Sequence, residues 1–174
     1  MLETILLILA ILIIAILLYA STRPGVFHVE RSAIIKASPE NVFALINDLH
    51  GFNSWNPWLR KDPSSAGSYT GAPSGKGAAY AWESGKVGTG RMEIIESVPS
   101  SNVKIKLDFL KPFEAHNTAE FMLAPKDNGT QVTWSMYGPS TFLSKIMGLF
   151  FSMDKMVGTD FESGLANMKE IAES

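Results

Sequence analysis

The last segment of the chain, Ser140 to Glu173, constrains the fold most, because its pattern predicts one long amphipathic helix. Pro139 stops the preceding segment, and Ser140 or Thr141 can cap the helix. Apolar residues recur at steps of three and four, which places one apolar stripe along one side. The stripe consists of Phe150, Met153, Val157, Phe161, Leu165, Met168 and Ile171. Such a helix needs an apolar surface to cover, and the rest of the chain must supply it.

Composition narrows the class of protein. The chain has 174 residues, no cysteine and a formal net charge of −2. About 150 residues remain after a short N-terminal segment, which is a normal size for one domain. The near-neutral charge gives no electrostatic reason to expect nucleic acid as a partner. The lack of cysteine excludes a disulfide scaffold and a thiol nucleophile.

The N-terminal segment predicts a membrane anchor. Residues 4–20 are apolar almost without a break, and with their edges they span roughly 18 residues, near the lower limit for crossing a bilayer. A cleaved signal peptide is the alternative, but it needs a positive start and small residues before the cut. The chain instead starts Met1-Leu2-Glu3, and the segment ends Leu18-Tyr19-Ala20.

We therefore expect a single-pass anchor and short linker in residues 1–24 and a globular domain in residues 25–174. Arg23, Arg31 and Lys36 follow the apolar segment and no basic residue precedes it. The positive-inside rule then places the globular domain in the cytoplasm.

Between anchor and final helix, the pattern is mainly that of strands. Apolar and polar residues alternate in residues 27–37, which predicts a first strand. Ser38-Pro39-Glu40 then begins the first of two short helices. From Ala78 onward the chain consists of strands and turns, with a strong hairpin signal at Asp127-Asn128-Gly129. The order is one strand, two short helices, five or six antiparallel strands and the long helix. Such a meander curls, and the final helix is the element that can lie across its dry face.

Several motifs carry a family resemblance. They are Ser38-Pro39-Glu40-Asn41-Val42-Phe43, Trp55-Asn56-Pro57-Trp58, Gly88-Thr89-Gly90-Arg91-Met92, Phe109-Leu110-Lys111-Pro112-Phe113, Gly129-Thr130-Gln131-Val132-Thr133-Trp134, Gly138-Pro139 and the ending from Asp160 to Lys169. Together they resemble the SRPBCC superfamily of START-type lipid carriers and birch-pollen-type allergens, and most of all its polyketide cyclase/dehydrase-like branch. The resemblance implies an α+β helix-grip fold. In that fold, a curved antiparallel sheet of about seven strands wraps round the C-terminal helix, with a hydrophobic cavity between them. It implies no single activity and no shared catalytic motif.

The aromatic and methionine-rich residues are candidates for lining such a cavity, although for any one of them a plain hydrophobic core is the more common explanation. Small residues along the same surfaces leave space, and a few polar groups would orient an apolar ligand. The expected ligand-binding set is Trp55, Trp58, Tyr80, Trp82, Arg91, Phe109, Asn117, Trp134, Met136, Val157 and Phe161.

The sequence gives no reason to expect a metal or a cofactor. His28, His50 and His116 lack the spacing of metal ligands. The glycine-rich run from Gly71 to Gly77 is one residue short of a phosphate loop, and no Ser or Thr follows Lys76.

Three functional hypotheses follow. The first is a membrane-anchored protein that binds or transports a hydrophobic small molecule or lipid. The second is a cyclase or aldol-type enzyme, with Arg91, Tyr80, His116 or Glu83 moving a proton. The third is a stress-response or protein-interaction module whose cavity is a filled core.

Overall fold

A computed structural model describes all 174 residues of the chain. The elements, in chain order, are α1 (Leu2–Thr22), β1 (Val26–Ile35), α2 (Pro39–Asn47), α3 (Leu49–Trp55), α4 (Pro57–Lys61), β2 (Ala66–Gly71), β3 (Ala78–Ser84), β4 (Gly88–Val98), β5 (Asn102–Lys111), β6 (Ala115–Lys126), β7 (Gly129–Pro139), α5 (Phe142–Met147) and α6 (Met153–Ala172).

The seven strands form one antiparallel sheet in the order β1-β7-β6-β5-β4-β3-β2. Strands β2 to β7 are a meander of sequential neighbours, and β1 pairs with β7 at one edge. Side chains alternate between the two faces, so Val132, Trp134 and Met136 of β7 are all buried on one face. Two register shifts in β4, at Thr89/Gly90 and Ile94/Glu96, are bulges of the kind that bend a strand. The expected curved sheet and α+β helix-grip architecture are confirmed.

Helix α6 lies on the concave face and runs in the same direction as β1. In its first half, Asp154 and Glu162 bind Arg31 of β1, at 2.9 Å and 2.7 Å. At its end, the Glu173 carboxylate accepts a hydrogen bond from the backbone N–H of Lys36. Phe161, Leu165 and Met168 are buried beneath it, as the predicted stripe requires. The helix therefore covers the sheet from about Val157 onward.

The C-terminal segment is two helices, and the prediction of one helix from Ser140 to Glu173 is wrong. Helix α5 ends at Gly148, whose N–H bonds back to the carbonyls of Ser144 and Ile146. Helix α6 starts afresh after Ser152, whose side chain accepts from the N–H of Lys155. Phe150 is consequently 69 % exposed and takes no part in the stripe over the sheet.

Helix α1 stands apart from this core. Its 21 residues are almost all apolar, and Ala20 is the one that is buried within the protein. At 1.5 Å per residue it is about 31 Å long, close to the thickness of a bilayer core. It is long and apolar enough to cross a membrane.

Two glycines of α6 allow a direct test of how the helix packs. A Cβ at Gly164 would lie 2.7 Å from Cζ3 of Trp134 and 3.1 Å from Cδ of Pro57, and both rings are fixed in the core. We expect Gly164→Ala to lower the free energy of unfolding by about 1–3 kcal/mol, because overpacking outweighs the gain in helix propensity. Urea unfolding of the full-length protein in detergent micelles, followed by tryptophan fluorescence, measures it.

Gly158→Ala is the comparison variant, because its new Cβ meets the Arg31 guanidinium rather than a buried ring. Shifting that side chain disturbs only its partly exposed ion pairs with Asp154 and Glu162. Its cost should be the smaller of the two. Equal costs for both variants would contradict this account of the packing.

Candidate functional site

Aromatic rings fill the centre of the concave face. The Trp134 ring stacks on Phe161 of α6 at 4.0 Å between centroids and on Phe121 of β6 at 5.0 Å. Trp55 and Trp58 meet it edge-on at 5.4 Å and 5.8 Å. Trp55, Trp134 and Phe161 are at most 2 % exposed. The hollow expected beside the terminal helix is therefore absent at this level, because these rings occupy it.

The concave face differs between its two ends. At the end where β1 finishes, it is sealed, and Ile35 and Val132 are fully buried. At the end where β1 and α6 begin, large apolar side chains on the same face remain partly exposed. They are Phe27, Trp82, Leu107, Phe109 and Val157. We call this second end, with these five residues, the open half of the concave face.

One polar side chain in the open half has no partner. Asn117 of β6 pairs in register with Leu107 of β5 and is 8 % exposed. Its carbonyl oxygen Oδ1 is buried and accepts no hydrogen bond. An unsatisfied buried acceptor costs about 1–3 kcal/mol and is uncommon in native proteins. The oxygen lies over Gly138 of the neighbouring strand β7, and a hydrogen-bond donor that reached this point would satisfy it.

A groove of about 440 Å³ opens beside the sheet edge formed by β2 and β3. Within it, Asn53 donates a 2.8 Å hydrogen bond to Oη of Tyr69, and the rings of Tyr69 and Tyr80 lie 4.7 Å apart. Burial, and secondarily Tyr69, raises the pKa of Tyr80, so its phenol is neutral and suited to donate. The groove is lined by Asn53, Leu59, Arg60, Pro63, Ser65, Gly67, Tyr69 and Tyr80.

The groove adjoins the open half through an aromatic row. Tyr80 stacks near Trp82 at 6.5 Å, and Trp82 meets Phe109 edge-on at 6.0 Å. The Trp82 ring lies over Gly90, where a Cβ would overlap it. Glycine at this position makes room for the row. A smaller cavity of about 140 Å³ lies on the other side of Tyr69, where the His50 ring stacks on it.

The predicted site residues divide into three groups. Trp55, Trp134 and Phe161 form the packed centre, and Trp58 and Met136 border it. Tyr80, Trp82, Phe109, Asn117 and Val157 lie along the groove or the open half. Arg91 lies on the opposite, convex face, because its neighbours Gly90 and Met92 point inward. Its guanidinium donates to Glu93 at 2.9 Å and cannot line the concave face.

Three of the four candidate acid–base residues also lie outside. His116 sits on the convex face, where Asp108 of β5 lies between it and Arg91, and Glu83 is exposed. The Nδ1 atom of His116 lies 2.7 Å from Asp108, and its Nε2 lies 3.3 Å from Glu114. Tyr80 alone of the four reaches the inside. No group of three or more His, Asp or Glu side chains is placed to hold a metal ion.

Sequence reasoning missed Asn53, Tyr69 and Leu107 as site residues. Leu107 lies on the same, inward-facing side of its strand as Phe109. The alternation of apolar and polar residues along β5 could therefore have identified it. Asn53 and Tyr69 lie on different elements, α3 and β2, and their hydrogen bond follows from the tertiary fold alone.

Comparison with known proteins agrees with this architecture. Residues 26–173 match the family described as polyketide cyclase / dehydrase and lipid transport. Protein CV1439 from Chromobacterium violaceum has a similar structure, with a TM-score of 0.61 at 13 % identity over 87 % of this chain and 99 % of that one. No curated protein matches the chain.

Two further solved structures share the fold. The Aha1 dimer protein of Colwellia psychrerythraea has a TM-score of 0.58 at 16 % identity, over 84 % of this chain and 96 % of its own. The di-domain ARO/CYC StfQ of the steffimycin biosynthetic pathway has a TM-score of 0.60 at 12 % identity. That match covers 85 % of this chain and 51 % of StfQ. At these identities the likeness concerns the fold alone.

The His116 pair on the convex face gives a pH prediction. The hydrogen bond to Asp108 raises the pKa of His116 above its ordinary value of about 6.5. A raised pKa means that the pair stabilises the fold below pH 6.5 and that this stabilisation is lost as pH rises through the folded-state pKa. We expect Asp108→Asn to lower the pKa of His116, as measured by NMR titration of its ring protons in the full-length protein in micelles.

The ring protons of His28 serve as the internal control. His28 lies on β1, which is separated from β5 by two strands, so the substitution should leave its resonances in place. An unchanged His116 titration would show that Asp108 does not hold the imidazolium.

Proposed function

Because the chain belongs to the polyketide cyclase / dehydrase and lipid transport family, we propose that it binds a hydrophobic small molecule or lipid in the open half of its concave face. One observation carries this proposal. The same face is sealed at one end and leaves large apolar side chains partly exposed at the other, around the unpartnered oxygen of Asn117. Exposed aromatic surface with a few polar groups is typical of small-molecule sites.

The chemistry of the lining indicates the kind of ligand. Trp82, Leu107, Phe109 and Val157 offer apolar contact, which contributes about 25 cal/mol per Å² before the ordering costs of binding. The Asn117 oxygen needs a donor, and the neutral Tyr80 phenol can donate. A ligand with a long apolar body and a hydroxyl or protonated carboxyl end at Asn117 fits this set. The Tyr80 hydroxyl lies over Gly67 of β2, four strands from β6, and would meet a different part of the ligand.

We further propose that α1 anchors this domain to a membrane. Residues 1–24 would form the anchor and linker, residues 25–174 the binding domain, and the basic residues after α1 favour a cytoplasmic domain. The position of the open half supports this arrangement, because β1 begins at Val26, directly after α1, and belongs to the same end of the sheet. A ligand dissolved in the bilayer would then have a short route to the site.

No specific observation favours the cyclase alternative. A proton-transfer enzyme needs a base within reach of its substrate. Arg91, His116 and Glu83 lie away from the concave face, and burial raises the pKa of Tyr80, which opposes its use as a base. Binding without covalent chemistry is therefore the function that we propose.

Filling the open half should prevent binding. We expect Leu107→Trp to reduce photo-crosslinking of a diazirine-labelled long-chain alcohol to the domain at least tenfold, because the added indole occupies the ligand's volume. The measurement uses full-length protein in nanodiscs, with adducts mapped by peptide mass spectrometry to residues 80–82, 107–109 and 153–157.

The control is Met122→Trp, which adds the same ring on the convex face, where Met122 is 50 % exposed. It should leave the adduct yield unchanged. Adducts confined to α1, or equal yields from both variants, would contradict the proposed site.

Asn117→Leu should separate binding from stability. Removing an unsatisfied buried acceptor should raise the free energy of unfolding by about 1 kcal/mol. The same change should weaken crosslinking of the alcohol probe while sparing a diazirine-labelled alkane, because the hydrogen bond acceptor is lost. Thermal unfolding by near-ultraviolet circular dichroism and the crosslinking assay measure the two effects.

Thr118→Val, next in the strand and on the outer face, is the matched control and should change neither quantity. If Asn117→Leu weakened both probes equally, the amide would have a packing role rather than a ligand-orienting one.

A further inference from the structure

The segment from α5 into the start of α6 exposes an unusual amount of apolar surface. We call residues 142–156 the platform. Seven of its nine large apolar side chains are 44–69 % exposed, although soluble domains rarely leave such a contiguous patch uncovered. They are Phe142, Leu143, Met147, Phe150, Phe151, Met153 and Met156.

The covalent connection to α1 limits where the platform can lie. Helix α1 ends at Thr22 and β1 begins at Val26, so Arg23–Gly25 is the whole linker. Three residues span at most about 11 Å. The backbone N–H of Ser140 donates a 2.8 Å hydrogen bond to the carbonyl of Gly25, and α5 begins two residues later. The platform is therefore held next to the end of α1.

Contacts within the protein strengthen this placement. Helix α5 packs against α1, and Ala20, near the end of α1, is fully buried. The Arg23 guanidinium lies 5.8 Å from the centroid of the Tyr19 ring. Tyrosine and arginine are residues that settle at the level of lipid headgroups. This pair marks the level at which α1 would leave the bilayer, and α5 lies beside it.

The charges of the platform suit a lipid surface. Lys145 and Lys155 form no ion pair within the protein, whereas the acidic Asp154 is already bound to Arg31 at 2.9 Å. The platform thus offers exposed Met and Phe side chains together with two unpaired cations. Segments that lie in the bilayer interface combine these features.

We propose that the platform is a second membrane contact, which lies in the interfacial layer of the bilayer that α1 crosses. This inference rests on the proposed anchoring by α1. The other occupants of an apolar patch, a second copy of the chain or another protein, would have to displace lipid from a surface that the short linker holds at the membrane. Because Val157 follows the platform directly, this contact also brings the open half of the concave face to the level of the lipid.

Depth-dependent quenching tests the proposal, since a chain without cysteine accepts single labels at chosen positions. Full-length Phe150→Cys, Leu12→Cys and Met122→Cys variants, each carrying an environment-sensitive fluorophore, are reconstituted into phosphatidylcholine/phosphatidylglycerol vesicles that contain spin-labelled lipids. All three native side chains are at least 50 % exposed, so the labels disturb no core.

The expected result is a graded one. The probe at position 150 should be quenched at least threefold more by shallow than by deep spin labels. The probe at position 12 should show the reverse preference, and the probe at position 122 should be quenched by neither. This pattern would establish an interfacial platform beside a spanning helix.

Quenching at position 12 without quenching at position 150 would overturn the platform proposal and leave the anchor intact. Protection of position 150 from aqueous iodide, again without quenching by lipid, would overturn it in favour of a protein partner. Absence of quenching at position 12 would instead overturn the anchor itself, and shallow quenching at position 150 in that case would show a peripheral contact.

Discussion

The stacking of Trp134 between the sheet and the C-terminal helix is the interaction on which the rest of the structure depends. Its ring lies nearly parallel to that of Phe161, at 10° between planes, and Trp55 and Trp58 close round its edges. One side chain thus joins β7 to α6, α3 and α4. The tight fit explains why Gly164 faces the ring and why the indole N–H has no acceptor. In this cluster, packing has taken precedence over hydrogen bonding.

This central cluster also decides where space remains. It divides the concave face, so that the end near Ile35 and Val132 packs as an ordinary core while the other end stays open. The open end retains features that lower stability, namely exposed aromatic surface and the unpartnered Asn117 oxygen. Sites that bind ligands commonly keep such locally unfavourable groups, because optimal packing would remove the site.

Much of this architecture could be predicted from alternation and helical periodicity. Val103, Ile105 and Leu107 face inward as their spacing requires, and Leu165 and Met168 lie under the helix. The prediction that Arg91 lines the cavity is wrong because residues 88–94 are rich in glycine and bulged. In such a strand the sequence alone does not show which side chains face inward, and the pairing with the neighbouring strand is needed to assign them. The break before α6 was missed for a related reason. The apolar pattern continues through Phe150, and only the packing of α5 against α1 shows that this stretch serves another surface. Periodicity shows which side of a helix or strand is buried. It does not show whether rings such as Trp55 and Trp134 pack together or leave a cavity, because that depends on the tertiary fold.

The brevity of Arg23–Gly25 has a consequence for any role in lipid traffic. A carrier that shuttles between two membranes needs a tether long enough to cross the water between them, and three residues reach about 11 Å. With α1 embedded, the domain can rotate about the helix axis and diffuse sideways, but it cannot leave its own leaflet. Its cargo would be withdrawn from, and returned to, the lipid immediately beneath it. Such a protein binds and presents its ligand at one membrane. Transport to another membrane would require a separate carrier that visits it.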